Sequence, residues 1–329
     1  MSTRQLSLLS VVAPVYNEVD SVPVLYERIC AALRDIPFEL VLVDDGSSDG
    51  SGDTLEALAA DDPRVKVVIL SRNFGHQMAL TAGLDHASGD AIVMMDADLQ
   101  DPPEIIPRML EDWRKGSDVV YAVRETREGE SFFKLATARW FYKIFDWLTT
   151  VPLRHNSGDF RLLDRVALDA LLTMRERSRF LRGMTVWVGF TQSAVLYHRD
   201  ARHAGSTKYT LTKMMRFSLD AISSFSDRPL QLATLLGFVI SGLALIAIPV
   251  VVALKIIGSY LPGFSTVEVT ILLLGGIQLI TIGIFGEYVG RIYDEVKGRP
   301  LYVVRARRNM PDVIVRRDGV EEIEPVGAD

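Results

Sequence analysis

The stretch Met95-Asp96-Ala97-Asp98-Leu99-Gln100-Asp101 sets two carboxylates one residue apart at the end of an apolar run, with a Gln and a third acid close behind. Carboxylates at that spacing repel each other and lose hydration near a core, so a cation must offset the cost unless they stand in water. Two other apolar runs end in polar clusters, Ala13-Pro14-Val15-Tyr16-Asn17-Glu18 and Val43-Asp44-Asp45-Gly46-Ser47-Ser48-Asp49. Taken singly, an Asp at a strand end is more often a helix cap than a ligand. If the three runs are parallel strands, their ends converge on one crevice and become a candidate site.

Those ends need a scaffold that brings them together. Apolar runs at Leu8 to Pro14, Glu39 to Val43, Val65 to Leu70, Ala91 to Met95 and Asp118 to Ala122 alternate with helical patterns. The helices run to about Leu33, from about Gly52, from about Gly75 and from near Pro102. This alternation predicts a mostly parallel, doubly wound α/β sheet. Ligands of such sheets sit beyond the carboxyl ends of the strands, where the acids fall.

After Ser226 the composition changes. Pro229 to Leu254 and Val269 to Gly286 carry no charged residue, and each is long enough, the second only just, to cross a hydrocarbon core. A buried hairpin of a soluble protein is the competing reading, disfavoured because the runs are adjacent and nearly charge-free. The connecting loop Gly258 to Thr266 is uncharged. Lys208, Lys213, Arg216 and Arg228 precede the first run, and Arg291, Lys297, Arg299 and Arg305 follow the second. The positive-inside rule then puts both termini and the large domain on the cytoplasmic side of the plasma membrane, with Lys255 a mild exception. Leu211, Met214, Met215, Leu219, Ile222 and Phe225 recur at helical spacing, as in a membrane-surface helix or a core-facing one. The expected organisation is a catalytic domain over 1–210, a surface helix over 211–228, spans over 229–257 and 267–290, and a cytoplasmic segment over 291–329. Its end, with Glu321, Glu322 and Glu324, reads as a solvated acidic tail.

Bulk properties agree with this division. The chain has 329 residues, 24% of them charged, yet a mean hydropathy of +0.18. A net charge of -6 gives no nucleic-acid footprint. The single cysteine, Cys30, excludes an internal disulfide framework and reads as a small core residue. No apolar leader with a cleavage site precedes the first strand, so the N-terminal domain is expected to stay in the cytoplasm. His76, His155, His198 and His203 show no ligand spacing and are not read as metal ligands.

Read together, Ala-Pro-Val-Tyr-Asn-Glu, Val-Asp-Asp-Gly-Ser-Ser-Asp and Asp-Ala-Asp resemble glycosyltransferase family 2, whose GT-A fold, Rossmann-like, binds a nucleotide-diphosphate sugar. The stretches Ser71 to His76, Asp96 to Glu104, Ser157 to Leu162 and Arg202 to Tyr209 narrow the resemblance to the polyprenyl-phosphate glycosyltransferases. That group includes dolichyl-phosphate mannose synthase and the bactoprenol glucosyltransferases. The resemblance runs from about Leu8 through both apolar runs to about Tyr302.

The resemblance implies roles. Asp98 and Gln100 would hold Mg²⁺ or Mn²⁺, with Asp96 a ligand or a contact of the ribose and the metal's waters; the metal would stabilise charge on the departing nucleoside diphosphate. Pro14, Tyr16 and Glu18 would line the nucleotide pocket, Asp45 would accept from the base, and Arg72 would flank it or be an ordinary surface residue. Lys134, Thr137 and Arg139, with Arg202, Ser206 and Lys208, would meet a lipid monophosphate. The competing reading for those bases is attraction to anionic lipid heads, and it is weakest for Arg202, whose motif is specific. Asp159 would act as a base or would orient substrate, and Asp98, Asp159 and Arg202 form the expected catalytic set. The implied reaction is inverting transfer of a hexose, UDP-glucose being the favoured donor, to undecaprenyl phosphate. GDP-mannose and amino-sugar donors remain alternatives. Gly275, Gly276 and Gly283 would permit close packing between protomers.

Two rivals are weaker. A processive polysaccharide synthase carries Gln-x-x-Arg-Trp, but Ala136 stands where Arg139-Trp140 would require Gln. A nucleotide-binding membrane receptor that had lost catalysis should have lost an acid, and Asp45, Asp96, Asp98 and Asp159 are all present.

Overall fold

A computed structural model describes residues 4–124, 157–197, 228–257, 264–310, 313–316 and 319–322. The described residues fall into two compact units. The first holds residues 4–124, 157–197 and everything from Arg299 onward, and the second holds the two apolar helices up to Gly298.

The first unit opens with the expected alternation: β1 (Leu9–Val15), α1 (Ser21–Ala32), β2 (Phe38–Asp44), α2 (Ser51–Asp61), β3 (Val65–Leu70), α3 (His76–Asp85) and β4 (Ala91–Met94). A 3-10 turn at Pro103–Ile105 leads into α4 (Ile106–Arg114), and β5 (Val119–Arg124) follows. Beyond residue 156 come β6 (Ser157–Asp164), α5 (Arg165–Thr173), α6 (Leu181–Trp187) and β7 (Gln192–Tyr197). After the apolar helices the chain forms β8 (Val304–Arg308), β9 (Val313–Arg316) and β10 (Gly319–Glu322).

Eight strands form one sheet in the order β7-β5-β6-β4-β1-β2-β3-β8. The block β4-β1-β2-β3 is parallel, as is the pair β5-β7. However, β6 runs antiparallel between β4 and β5, and β8 antiparallel against β3, so the sheet is mixed. All seven residues of β1 and of β2 are buried, as expected for strands covered by helices on both faces. Helix α4 buries Ile106, Met109, Leu110 and Trp113, a single stripe at helical spacing. Helix α3 lies so close to the sheet that a Cβ on Gly83 would fall 2.3 Å from Val12 Cγ1 and 3.0 Å from Val43 Cγ2. That contact fixes where the start of α3 points.

The second unit contains α7 (Arg228–Ile256) and α8 (Phe264–Val296), both apolar and long enough to cross a membrane. Only 6% and 0% of their most apolar windows are buried, and Phe238, Leu245, Leu279 and Phe285 stand exposed. A core helix of a soluble protein would hide such side chains, so the pair fits a membrane-associated hairpin. Helix α8 extends past 290 to Val296, with Glu287 and Arg291 paired one turn apart at 2.9 Å.

The C-terminal segment adds three strands. Residues after Gly298 belong to the sheet-bearing unit: β8 closes its edge, Tyr302 Oη donates to Asp85 Oδ2 (2.6 Å), and Asn309 Nδ2 donates to the carbonyls of Ala59 (2.6 Å) and Val65 (2.9 Å). The acids Glu321 and Glu322 lie in β10, paired with β9.

Candidate functional site

The loops after β1, β2 and β3 are tied into one wall. Met95 N–H donates to Val12 O just past the end of β4, so β1 outruns β4 and Pro14, which has no N–H, lies where that neighbour has ended. Asn17, at φ +57°, accepts from Ser48 N (2.9 Å) while its own N–H donates to Ser47 Oγ (3.1 Å). The Glu18 amide donates to Ser51 Oγ (2.9 Å), and its carboxylate accepts from Ser21 Oγ (2.6 Å) at the entrance of α1. Tyr16 is half exposed beside them.

Asp45 accepts the N–H groups of Phe74 (2.7 Å) and Gly75 (2.9 Å), one on each carboxylate oxygen. Burial pushes its carboxyl up and these amides pull part of the way back. Gly46, at φ +71°, permits the contact: a Cβ there would lie 2.7 Å from Arg72 C and Asn73 N. The Arg72 guanidinium stacks 4.0 Å above the Phe74 ring. Of the expected nucleotide-pocket set, Arg72 lies on the loop after β3, which Asp45, just past β2, holds in place through the Phe74 and Gly75 amides.

The opposite wall comes from β4 and β6. Their register pairs Met94 with Arg161, and continuing it by two residues brings Asp159 level with Asp96. Asp159 is 2% exposed. Arg182 at the start of α6 donates to it from Nε (2.8 Å) and Nη2 (3.1 Å). From the start of α3, His76 Nε2 lies 3.2 Å from Asp159 Oδ2 and 3.5 Å from Asp96 Oδ1. Gln77 reaches Asp159 at 3.4 Å and accepts from Leu181 N (2.9 Å), which ties α3 to α6. Beneath them the fully buried Arg161 donates to Gly158 O (2.7 Å) and to the Thr185 hydroxyl, and it lies 5.1 Å from the Tyr121 ring centre. Burial pushes its guanidinium down to about 10. Arg161 thus locks β6 to α6, and with it Asp159 to Arg182.

The electrostatics separate the two acids. Burial works against the Asp159 charge, but the His76 hydrogen bond and the Arg182 guanidinium hold its carboxyl well below the usual range. Asp96 is pushed up to about 6, first by burial and then by Asp159, Asp101 and Asp98, against the pull of His76. Loss of hydration opposes a charge on His76, yet the hydrogen bond with Asp159 and the charge of Asp96 raise its pKa.

Ligand-type atoms of His76, Asp96 and Asp159 lie within 4.8 Å of one another. Asp96 Oδ1 is buried and has no hydrogen-bond partner, an arrangement that suits a hard divalent cation. The expected set of Asp96, Asp98 and Gln100 is only partly gathered. Asp98 stays outside that group and accepts the amide of Gln100 (3.2 Å), while Gln100 itself is 8% exposed. Asp101 lies fully buried and accepts from Tyr197 Oη (2.6 Å). Lys134, Thr137, Arg139, Arg202, Ser206 and Lys208 lie outside the described residues. His76, not read as a ligand from its spacing, stands in the group with Asp96 and Asp159, and Gln77 and Arg182 were missed: Asp159 is 83 positions from His76 and 23 from Arg182, so no local spacing could reveal the cluster.

Residues 10–172 match the family model described as Glycosyl transferase family 2. The chain is 46% identical over 312 residues to the uncharacterized glycosyltransferase YkcC of Bacillus subtilis (strain 168), covering 94% of this chain and 97% of the relative. It is 40% identical over 300 residues to the bactoprenol glucosyl transferase of Shigella phage SfII, covering 90% and 97% respectively. Among solved structures, it is similar at a TM-score of 0.44 and 18% identity to the glucosyl-3-phosphoglycerate synthase of Mycobacterium tuberculosis, over 67% of this chain and 82% of that one. By extent and identity of match, the chain belongs to glycosyltransferase family 2.

Proposed function

We propose that this glycosyltransferase moves glucose from UDP-glucose to a polyprenyl phosphate, most simply undecaprenyl phosphate, at the cytoplasmic face of the plasma membrane. One observation carries the reading: the similarity to the bactoprenol glucosyl transferase spans 300 residues, too many to leave out the apolar helices α7 and α8. The lipid-facing part is then shared along with the sugar-nucleotide part.

The acceptor phosphate is anionic near neutral pH, its second pKa being about 6, so the attack needs no strong base. Its oxygen would displace the nucleoside diphosphate in line at the anomeric carbon, with inversion. Asp159, buried and held by Arg182 and His76, suits an orienting role better than proton abstraction. Pro14, Tyr16, Glu18, Asp45 and Arg72 would bind the nucleotide. Lys134, Thr137, Arg139, Arg202, Ser206 and Lys208 would receive the lipid phosphate. A divalent cation on Asp96, with Asp98 and Gln100 beside it, would neutralise charge on the departing diphosphate. Mn²⁺ and Mg²⁺ both suit oxygen donors of this kind.

The test uses the full chain in detergent with undecaprenyl phosphate and radiolabelled UDP-glucose, GDP-mannose or UDP-N-acetylglucosamine, with Mn²⁺ or Mg²⁺. Label entering the organic phase from UDP-glucose supports the reading. Transfer only from another donor corrects the sugar, and nucleotide binding without transfer from any donor favours a receptor.

A further inference from the structure

Two basic segments of the sheet-bearing unit meet where the chain returns from α8. Residues 174–180, between α5 and α6, and residues 299–308 together hold seven arginines and one acid, Glu176. Side chains tie the two segments to each other. Arg177 donates to Arg299 O, Arg175 donates to both oxygens of Asp85 (2.8 Å each), and Tyr302 Oη donates to Asp85 Oδ2 (2.6 Å). Asp85 answers Arg175 and Glu56 answers Arg308, so with Glu176 three acids stand against seven guanidinium groups. Arg175, Arg299 and Arg305 are exposed. Arg179 is 6% exposed, gives Nη1 to Met174 O, and has no hydrogen-bond partner at Nε or Nη2. A buried charge is screened less than one in water, so Arg179 strengthens the positive potential of the patch.

We infer that this arginine patch docks on anionic phospholipid head groups and so seats the sheet-bearing unit on the membrane. The inference rests on the membrane reading of α7 and α8, and it needs neither the sugar nor the acceptor of the proposed transfer. Continuity of the chain names the partner. Arg299 follows Val296, the last residue of α8 and of its candidate span, by three positions, a reach of about 11 Å at most. A patch tied to that exit lies within reach of the head-group layer, where an anionic leaflet attracts each base and a guanidinium offers phosphate a two-pronged donor. Residues 174–180 also run directly into α6, which carries Arg182 and, through it, holds Asp159. Docking therefore steadies the segment that leads into the crevice.

The experiment follows amide hydrogen exchange of the full-length protein in nanodiscs of phosphatidylcholine alone or of an equal mixture with phosphatidylglycerol. Exchange over residues 174–180 should be about tenfold slower in the anionic discs, with α4 exchanging alike in both. At about 1 M salt, where the Debye length is about 3 Å, the difference should vanish. In a double variant, Arg177→Gln with Arg299→Gln, the two discs should agree within about twofold. Equal exchange of the wild type in both discs, or slowing that survives in the double variant or at high salt, overturns the inference. If the double variant fails to fold, Arg299→Gln alone decides, because it keeps the carbonyl that Arg177 uses. Slowing reduced to about threefold then supports the patch, and full slowing overturns it. A chain that does not enter the discs would instead overturn the membrane reading, and a docked chain without transferase activity would overturn only the transfer reading.

Discussion

At the scale of single residues, the crevice separates an acid that is kept charged from one that resists charge. Asp159 has Arg182, His76 and Gln77 around it, whereas Asp96 has a buried oxygen with no donor. The folded pKa of Asp96, about 6, lies above its ordinary value of 3.8, so its carboxylate opposes folding at neutral pH. That penalty is full above the folded pKa and disappears below the ordinary one. In metal-free protein, Asp96→Asn should therefore raise the thermal midpoint at about pH 8, with the gain fading as pH falls toward about 4. Adding Mn²⁺ should raise the wild-type midpoint and leave the variant's where it was. Asp159→Asn should do the opposite to stability, costing about 2 kcal/mol by denaturant titration at neutral pH, because Arg182 and His76 lose a charged partner. The Asp96-Ala97-Asp98 pair was legible in the sequence because adjacent acids advertise their cost. The cluster of His76, Gln77 and Arg182 was not, since its members meet only through pairing of β4 with β6.

At the scale of elements, α3 transmits sheet geometry to the site. Gly83→Ala should place a methyl group into Val12 and Val43, costing about 1–3 kcal/mol in stability and displacing His76 and Gln77 at the other end of the helix. Adding Val12→Ala should restore part of both stability and turnover, a non-additive pairing expected of residues in contact. Strands β1 to β5 were readable because their cores are continuous apolar runs. β6 was hidden because Asp159 and Arg161 interrupt its apolar pattern, and burying those charges requires the partners described above. A functional site is where such a break of pattern is expected.

At the scale of the whole molecule, the two apolar helices leave the sheet-bearing unit and the chain then returns to it. Composition made the helices legible, but nothing local showed that Val304–Arg308 would close the sheet against β3. The returning segment is held by side chains as well as by the ladder. Asn309→Ala should cost about 1–3 kcal/mol by leaving the Ala59 and Val65 carbonyls without their donor, read as a lower denaturant midpoint in detergent. It should leave the KM for UDP-glucose unchanged in the protein that remains folded.

A divalent cation on Asp96 that assists glucose transfer to a lipid phosphate makes that transfer depend on both the metal and the acid. This dependence is read from the initial rate at which label from UDP-glucose enters undecaprenyl phosphate, measured with and without Mn²⁺ for wild type and Asp96→Asn. The wild type should give a Mn²⁺-dependent lipid product, and the variant should lose about 100-fold or more in rate. Equal rates in the two proteins, or a lipid product formed at the full rate in the presence of a chelator, would contradict it.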